Sequence, residues 1–508
     1  MSEGKPGILL VLDGWGDAPP GEGNAIAAAE TPCLDKLRAT CPTLLVEASG
    51  SAVGLLPNTV GNSEIGHMVI GAGRPVPYDS VLVQQQIESG ELRANPLLRK
   101  AVSALTETGA ALHLVGLCSD GAIHADVGHM REFLVAAAEL RLTRVWIHAI
   151  TDERDVSDGT AATYLDRLDE YAAEAGVGRV ASVVGRGYAM DKSGDLELTR
   201  VAGELIADGV GNPVAVGKAA LASADRGDEW VPASAVVGDG GAALGRVQAG
   251  DVVLFTNFRS DRIQQLADFL VTRLVSRDVT VLSLAQYDTR AEIPPLVGRA
   301  DTSGGLGEEL ARRGLRSVRV AEAEKFEHVT YYINGRDSTV RDIEDHVRIT
   351  GDGPPDYRAR PEMNLDQVVA AVSAASRRDE VALVVANLAN IDVVGHTGDL
   401  AATVRATEHT DRAVERICSV AQETGRWVLL VGDHGNAERM LKPGVDGRQR
   451  PYGGHTTNPV PVVLLPAPGQ IVDPTPAGDV HSLADIAPTI LALLGHPAGD
   501  AMTGRPLW

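Results

Sequence analysis

Trp427-Val428-Leu429-Leu430-Val431, running into Gly432-Asp433-His434-Gly435, is the stretch on which the reading of the fold turns. A short, unbroken apolar run closed by glycine describes a strand buried on both faces, as in a parallel sheet, with its polar residues at the carboxyl end. The same design recurs at Gly7-Ile8-Leu9-Leu10-Val11-Leu12 before Asp13-Gly14-Trp15-Gly16, and at Val381–Val385 ahead of Asp392 and His396. His455 stands in Gly453-Gly454-His455-Thr456, and Ser63 in Gly61-Asn62-Ser63-Glu64-Ile65-Gly66-His67. Side chains at the carboxyl ends of parallel strands converge on one sheet edge, where ligands bind. Three aspartates, three histidines and one serine are what two divalent cations and an activated alcohol require.

Taken singly, these motifs have bland readings. A D-G-x-G after a strand serves as a turn, and an Asp and His four residues apart are commonly a surface pair. Together they place a ligand type at the strand ends of one domain, which points to a dinuclear site. Mixed carboxylate and imidazole donors suit Mn²⁺, Zn²⁺ or Fe²⁺ better than Ca²⁺. Two such ions about 3.5–4 Å apart stabilise the attacking and leaving oxygens of a phosphoryl group. A serine hydroxyl beside them becomes a nucleophile.

The chain's 508 residues exceed what one compact core holds, so two domains are expected. Apolar runs alternate with amphipathic helical stretches almost throughout, the pattern of α/β layers. The metal-ligand candidates lie near the N-terminus and in the C-terminal third. The expected arrangement is therefore one domain from residues 1–76 and 297–508, with a second, 77–296, inserted. Strands are expected at Ala111–Cys118, Arg144–Ala149, Arg179–Val184, Asp251–Phe255 and Val279–Ala285. The Pro-containing Ala291–Leu296 reads as a linker and His328–Ile333 as strand-like.

The inserted segment carries another inventory at its strand ends. His124 follows Ser119-Asp120-Gly121, Arg154 and Asp155 follow Asp152-Glu153, and Arg186 stands between Gly185 and Gly187. Arg259 and Arg262 lie in Asn257–Arg262. Guanidinium forks bind carboxylate and phosphate bidentately, so the set describes an anion-binding cleft. Neither Gly185-Arg186-Gly187 nor Gly238–Gly241 has the register of a dinucleotide fingerprint.

A formal net charge of -22 argues against nucleic-acid and anionic-membrane binding, and an anionic ligand would need clustered arginines. Four cysteines without C-x-x-C spacing make no disulfide framework, which suits a reducing compartment, and no apolar stretch is long enough for a membrane span. A cytoplasmic protein is expected.

These strings, with Ile70-Gly71-Ala72-Gly73-Arg74, Glu324-Lys325, Gly395-His396-Thr397-Gly398 and Gly432–Asn436, resemble cofactor-independent phosphoglycerate mutase. That family belongs to the alkaline phosphatase superfamily, and the resemblance spans essentially the whole chain. It implies an alkaline-phosphatase-like metal domain with an inserted α/β phosphotransferase domain. It implies Ser63 as the residue that becomes phosphoserine, and two divalent metals, taken here as Mn²⁺. One metal would be held by Asp13, Ser63, Asp433 and His434, the other by Asp392, His396 and His455. For substrate it points to His124, Arg154, Asp155, Arg186, Lys192, Arg259, Arg262 and Lys325. It implies a monomer acting on a small phosphorylated hydroxy acid.

Departures from the family pattern cluster in the inserted segment. The family's S-D-G-G-V-H-S-H stands here as Ser119–Asp126, ending in Asp126, and its D-G-R-D as Asp152-Glu153-Arg154-Asp155. After Arg186, Gly187 replaces a tyrosine and Lys192 an arginine. The resemblance implies interconversion of 3- and 2-phosphoglycerate. The same chemistry on a phosphoglycerate analogue, and a phosphohydrolase in which water resolves phosphoserine, are the alternatives. A non-catalytic binding protein would have lost metal ligands, and none is lost.

Overall fold

The computed structural model describes residues 4–191, 193–351, 356–443, 448–478 and 480–508. The chain divides into two units, residues 1–78 with 301–508, and residues 79–300, each built on its own sheet.

In the first unit the strand order is Glu344–Ile349, Arg316–Glu322, Val381–Leu388, Gly7–Leu12, Trp427–Gly432, Val460–Leu465 and Thr43–Val46. The first five run parallel, and Val460–Leu465 turns antiparallel. Leu12 stands level with both Leu388 and Gly432. Asp13, Asp433 and the turn bearing Asp392 therefore leave the sheet along one edge. Ile8, Leu10, Val384, Ala386, Val428 and Leu430 are fully buried and join one core with Val368, Val372, Val414 and Ile417. Those four lie on the helices Leu365–Ser376 and Leu400–Glu423. Burial on both faces explains why these strands read as continuous apolar runs rather than alternating ones.

The second unit orders its strands Pro295–Val297, Thr280–Ala285, Val252–Phe255, Leu112–Leu117, Val145–Thr151, Arg179–Gly185, Ser234–Val236 and Asn212–Val214. All neighbours are parallel except Arg179–Gly185 with Ser234–Val236. A buried hydrogen-bond chain crosses four adjacent positions. Asp251 Oδ2 lies 3.1 Å from His113 Nε2, His113 Nδ1 3.0 Å from His148 Nε2, and His148 Nδ1 2.7 Å from Ser182 Oγ. The carboxylate accepts from His113, so each imidazole is satisfied as the neutral Nε2–H tautomer, and Ser182 donates at the far end.

Two expectations are corrected. His328–Ile333 is not a strand: His328–Tyr332 forms a π-helical turn. Its β-branched residues suggested a strand. Yet Val329, Thr330 and Ile333 are buried while Tyr331 is half-buried, a helical spacing rather than an alternating one. The supposed linker before Val297 ends in an edge strand, Pro295–Val297, where a proline at the first position leaves no central ladder bond unmade. Among the described residues no helix is long and apolar enough to cross a membrane.

Candidate metal centre and arginine cluster

Ser63 opens the helix Ser63–Ala72, whose first turn is capped by Asn62, its Oδ1 accepting from Ile65 N at 3.0 Å. Gly66 allows the helix to lie against the strand-end turn: a Cβ there would stand 2.6 Å from the Asp433 carbonyl oxygen. This close approach sets Ser63 Oγ 2.9 Å from His434 Nε2 and 3.2 Å from Asp13 Oδ1. Lys325, from the 3₁₀ turn after Arg316–Glu322, brings Nζ to 2.6 Å from Ser63 Oγ and 2.8 Å from both Asp13 Oδ1 and Asp392 Oδ2. His396 Nε2 and His455 Nε2 each lie 3.4 Å from Asp392 Oδ1, and 3.2 Å from each other. All seven metal-ligand candidates thus meet in the first unit.

Asp13 and Asp392 share the Lys325 ammonium, while Asp433, also buried, stands beside the imidazoles of His67 and His434. Burial pushes the Lys325 amine down, but Asp13, Asp392 and Asp433 hold its pKa well above the ordinary lysine value. Burial raises Asp13 and Asp392, yet Lys325 and neighbouring imidazoles keep both below the usual carboxylate range. His434, opposed by burial, is pushed up to about 9 by Asp433, Asp13 and Asp392.

Two oxygens decide whether metals fit. Asp392 Oδ1 and Asp433 Oδ2 are buried and accept no well-formed hydrogen bond. Around Asp392 Oδ1 stand three imidazole nitrogens at 3.4 to 3.9 Å, and His434 Nε2 lies 3.7 Å from Asp433 Oδ2. Such separations are long for hydrogen bonds and suit ligands sharing a cation held at roughly 2.0–2.2 Å. Asp13, Asp433 and His434 form one group with donor atoms close enough to share an ion, and Asp392, His434 and His455 another. The residues present fit divalent metals, with His434 common to both groups.

Several supporting residues escaped the sequence reading. Asn387 donates to Asp13 Oδ2 at 2.7 Å and contacts His67 Nε2 at 3.1 Å, while His67 Nδ1 donates to the Ser63 carbonyl at 2.8 Å. The detectable signal was a lone amide inside an apolar strand. Glu438, buried, accepts from Asn436 N at 2.8 Å and from Thr456 Oγ1, tying two of the ligand-bearing turns together.

In the second unit His124 Nδ1 lies 2.7 Å from Asp155 Oδ2, and Arg186 Nη1 lies 2.9 Å from Asp155 Oδ1. Asp261 stands 3.0 Å from Arg259 Nε, 3.4 Å from Arg262 Nε and 3.8 Å from His124 Nε2. Arg154 pairs with Glu229. The structure thus gathers Arg186, Asp155, His124, Arg259 and Arg262 through shared carboxylates, whereas Lys325 sits beside Ser63. Lys192 lies outside the described residues.

Two departures from the family pattern meet at one turn. Glu153 Oε2 accepts from Glu229 N at 3.0 Å, and a Cβ on Gly187 would stand 2.9 Å from the Trp230 ring. The turn Gly227–Trp230 therefore occupies the space a tyrosine at 187 would need.

Residues 5–498 match the family described as the metalloenzyme superfamily. A curated 2,3-bisphosphoglycerate-independent phosphoglycerate mutase of Streptomyces coelicolor is 62% identical over 504 residues, 99% of this chain and 98% of the relative. One from Synechococcus sp. is 38% identical over 517 residues, 99% and 95% of the two chains. Among solved structures, phosphoglycerate mutase of Leishmania mexicana superposes with a TM-score of 0.76 at 28% identity, covering 99% of this chain and 98% of that one.

Proposed function

The chain belongs to the 2,3-bisphosphoglycerate-independent phosphoglycerate mutases of the metalloenzyme superfamily and interconverts 3- and 2-phosphoglycerate; we propose that it does so through phosphorylation of Ser63. The observation that carries this reading is the contact set of Ser63 Oγ, 2.6 Å from Lys325 Nζ and 2.9 Å from His434 Nε2.

Asp13, Asp433 and His434 would hold one divalent metal and Asp392, His396 and His455 the other, Ser63 completing the first set; the carboxylate and imidazole donors suit Mn²⁺. When bound, the ions supply Lewis acidity that lowers the pKa of the serine hydroxyl and neutralises phosphoryl charge. Asp13 Oδ1 is placed to accept the Ser63 proton. Lys325 donates to the oxygen that loses it, favouring the charged nucleophile, and the same ammonium lies where charge on a transferring phosphoryl group develops. Ser63 forms its bond to phosphorus as the substrate's ester oxygen leaves and takes up the proton that Ser63 gave up. Glycerate then presents its other hydroxyl, which loses its proton as it takes the phosphoryl group, and the bond from Ser63 to phosphorus breaks with a proton returned to the Ser63 oxygen.

His124, Arg154, Asp155, Arg186, Lys192, Arg259 and Arg262 are the residues assigned to the anionic substrate in this reading, with Lys325 acting at the phosphoryl group. The four free thiols suit a reducing cytoplasm, and a monomer is the simplest assembly consistent with one complete set of ligands per chain. The test is to incubate the metal-loaded protein with 3-phosphoglycerate and follow 2-phosphoglycerate, free phosphate and intact mass. One phosphate on Ser63 with little phosphate release is expected; normal turnover by Ser63→Ala would exclude the covalent route.

A further inference from the structure

Asp152 leaves the Val145–Thr151 strand at its carboxyl end and is only 1% exposed. Four donors converge on its carboxylate. Oδ1 accepts from Arg186 Nη1 at 2.6 Å, from Arg154 N at 3.0 Å and from Asp155 N at 3.2 Å, and Oδ2 accepts from Ser119 Oγ at 2.6 Å. Ser119 follows the Leu112–Leu117 strand and Arg186 follows Arg179–Gly185, so one buried carboxylate joins three neighbouring strand ends. Its occupied acceptors and its burial leave it no atom to offer a substrate.

The residues it holds are those assigned to the anion. Arg186 is 3% exposed and divides Nη1 between Asp152 and Asp155, so its guanidinium is held by two carboxylates at once. Asp155 in turn orients His124. The backbone amides of Arg154 and Asp155, both bound to Asp152 Oδ1, fix where those two side chains begin.

We propose that Asp152 is the positioning residue of the arginine cluster, holding Arg186 and the turn of Arg154 and Asp155 in the geometry that receives the anionic substrate. This rests on the mutase reading above. Ordered before substrate arrives, the arginines bind without having to be fixed by it, and such preorganisation is felt equally in ground and transition states. Its loss therefore appears chiefly in KM.

The experiment compares the metal-loaded full chain with Asp152→Asn, Arg186→Gln and the double variant in steady-state conversion of 3-phosphoglycerate. The asparagine keeps the size and an acceptor oxygen but removes the charge. Asp152→Asn is expected to raise KM about tenfold with kcat within about threefold of the parent, and to add little in the Arg186→Gln background, since both act through one guanidinium. An unchanged KM, or effects that multiply in the double variant, overturns the proposal. Should Asp152→Asn fail to fold, Ser119→Ala decides: loss of its single hydrogen bond should raise KM a few-fold at constant kcat, and an unchanged KM overturns it. A parent protein that cannot interconvert phosphoglycerates sinks the mutase reading instead, and is recognised before any variant is compared.

Discussion

Lys325 Nζ lies 2.6 Å from Ser63 Oγ across 262 residues of sequence, nearer to the hydroxyl than to either carboxylate it also bonds. The ammonium is thus both counter-ion to Asp13 and Asp392 and hydrogen-bond partner of the Ser63 hydroxyl. Lys325→Met should lower kcat about 10²–10³-fold, the usual effect of removing one donor from developing charge. Metal content, measured by elemental analysis, should be retained, since Asp13 and Asp392 lose a competitor for their oxygens. Loss of metal along with activity would mean that Lys325 serves the site's integrity rather than the transfer.

Mutual repulsion among Asp13, Asp392 and Asp433 makes the metal-free centre a liability that bound cations relieve. Chelation should therefore lower the melting temperature as well as abolish turnover, and added Mn²⁺ should restore both. Asp433→Asn is expected to raise the melting temperature of the metal-free protein while shrinking the increment that metal gives. A variant that gains as much from metal as the parent would remove Asp433 from the ligand set.

Buried groups outside the ligand set, two histidines and one glutamate, pull stability in opposite directions with pH. Burial lowers His148 far below, and His113 below, the ordinary histidine value, so these rings are neutral in the fold and must charge as acid is added. Their contribution is present above about 6.5 and is lost as pH falls below it. Urea denaturation of the second unit's transition should show this decline, and His148→Gln should flatten it.

Glu322, fully buried at the end of the strand before Lys325, has the reverse sign. Burial, with some help from Glu324, raises its carboxyl to about 7 against the hydrogen bonds it accepts from Asn364. A raised acid favours the protonated fold, so stability is full below about 4.5 and falls as pH rises toward 7, by on the order of 3 kcal/mol. Glu322→Gln should stabilise the first unit at pH 8 and leave it unchanged near pH 4.5. Equal effects at both values would show that the carboxyl ionises freely in the fold.

Gly187 lies under Trp230, and Gly187→Tyr should cost about 1–3 kcal/mol of stability through overpacking. Trp230→Ala in the same chain should recover part of that loss. A tyrosine accommodated at no cost, by calorimetry, would mean that the Gly227–Trp230 turn moves aside.

The sequence by itself determined the α/β class and the set of candidate ligands, because buried parallel strands must be apolar along their length and must leave polar residues at one end. Asp13 and Asp433 follow their strands directly, which is why both could be named from the chain alone. It also showed that two departures, Glu153 beside Arg154 and Gly187 beside Arg186, were present, but not that they touch one turn. Only the tertiary structure decided the rest. Residues such as Asn387, His67 and Asp152 act through hydrogen bonds to partners brought near by strand order and register, and no local pattern in composition or period reports such a partner. The helical turn at His328–Tyr332 has the same origin: its β-branched residues favour a strand, and the packing that overrides them comes from elsewhere in the chain.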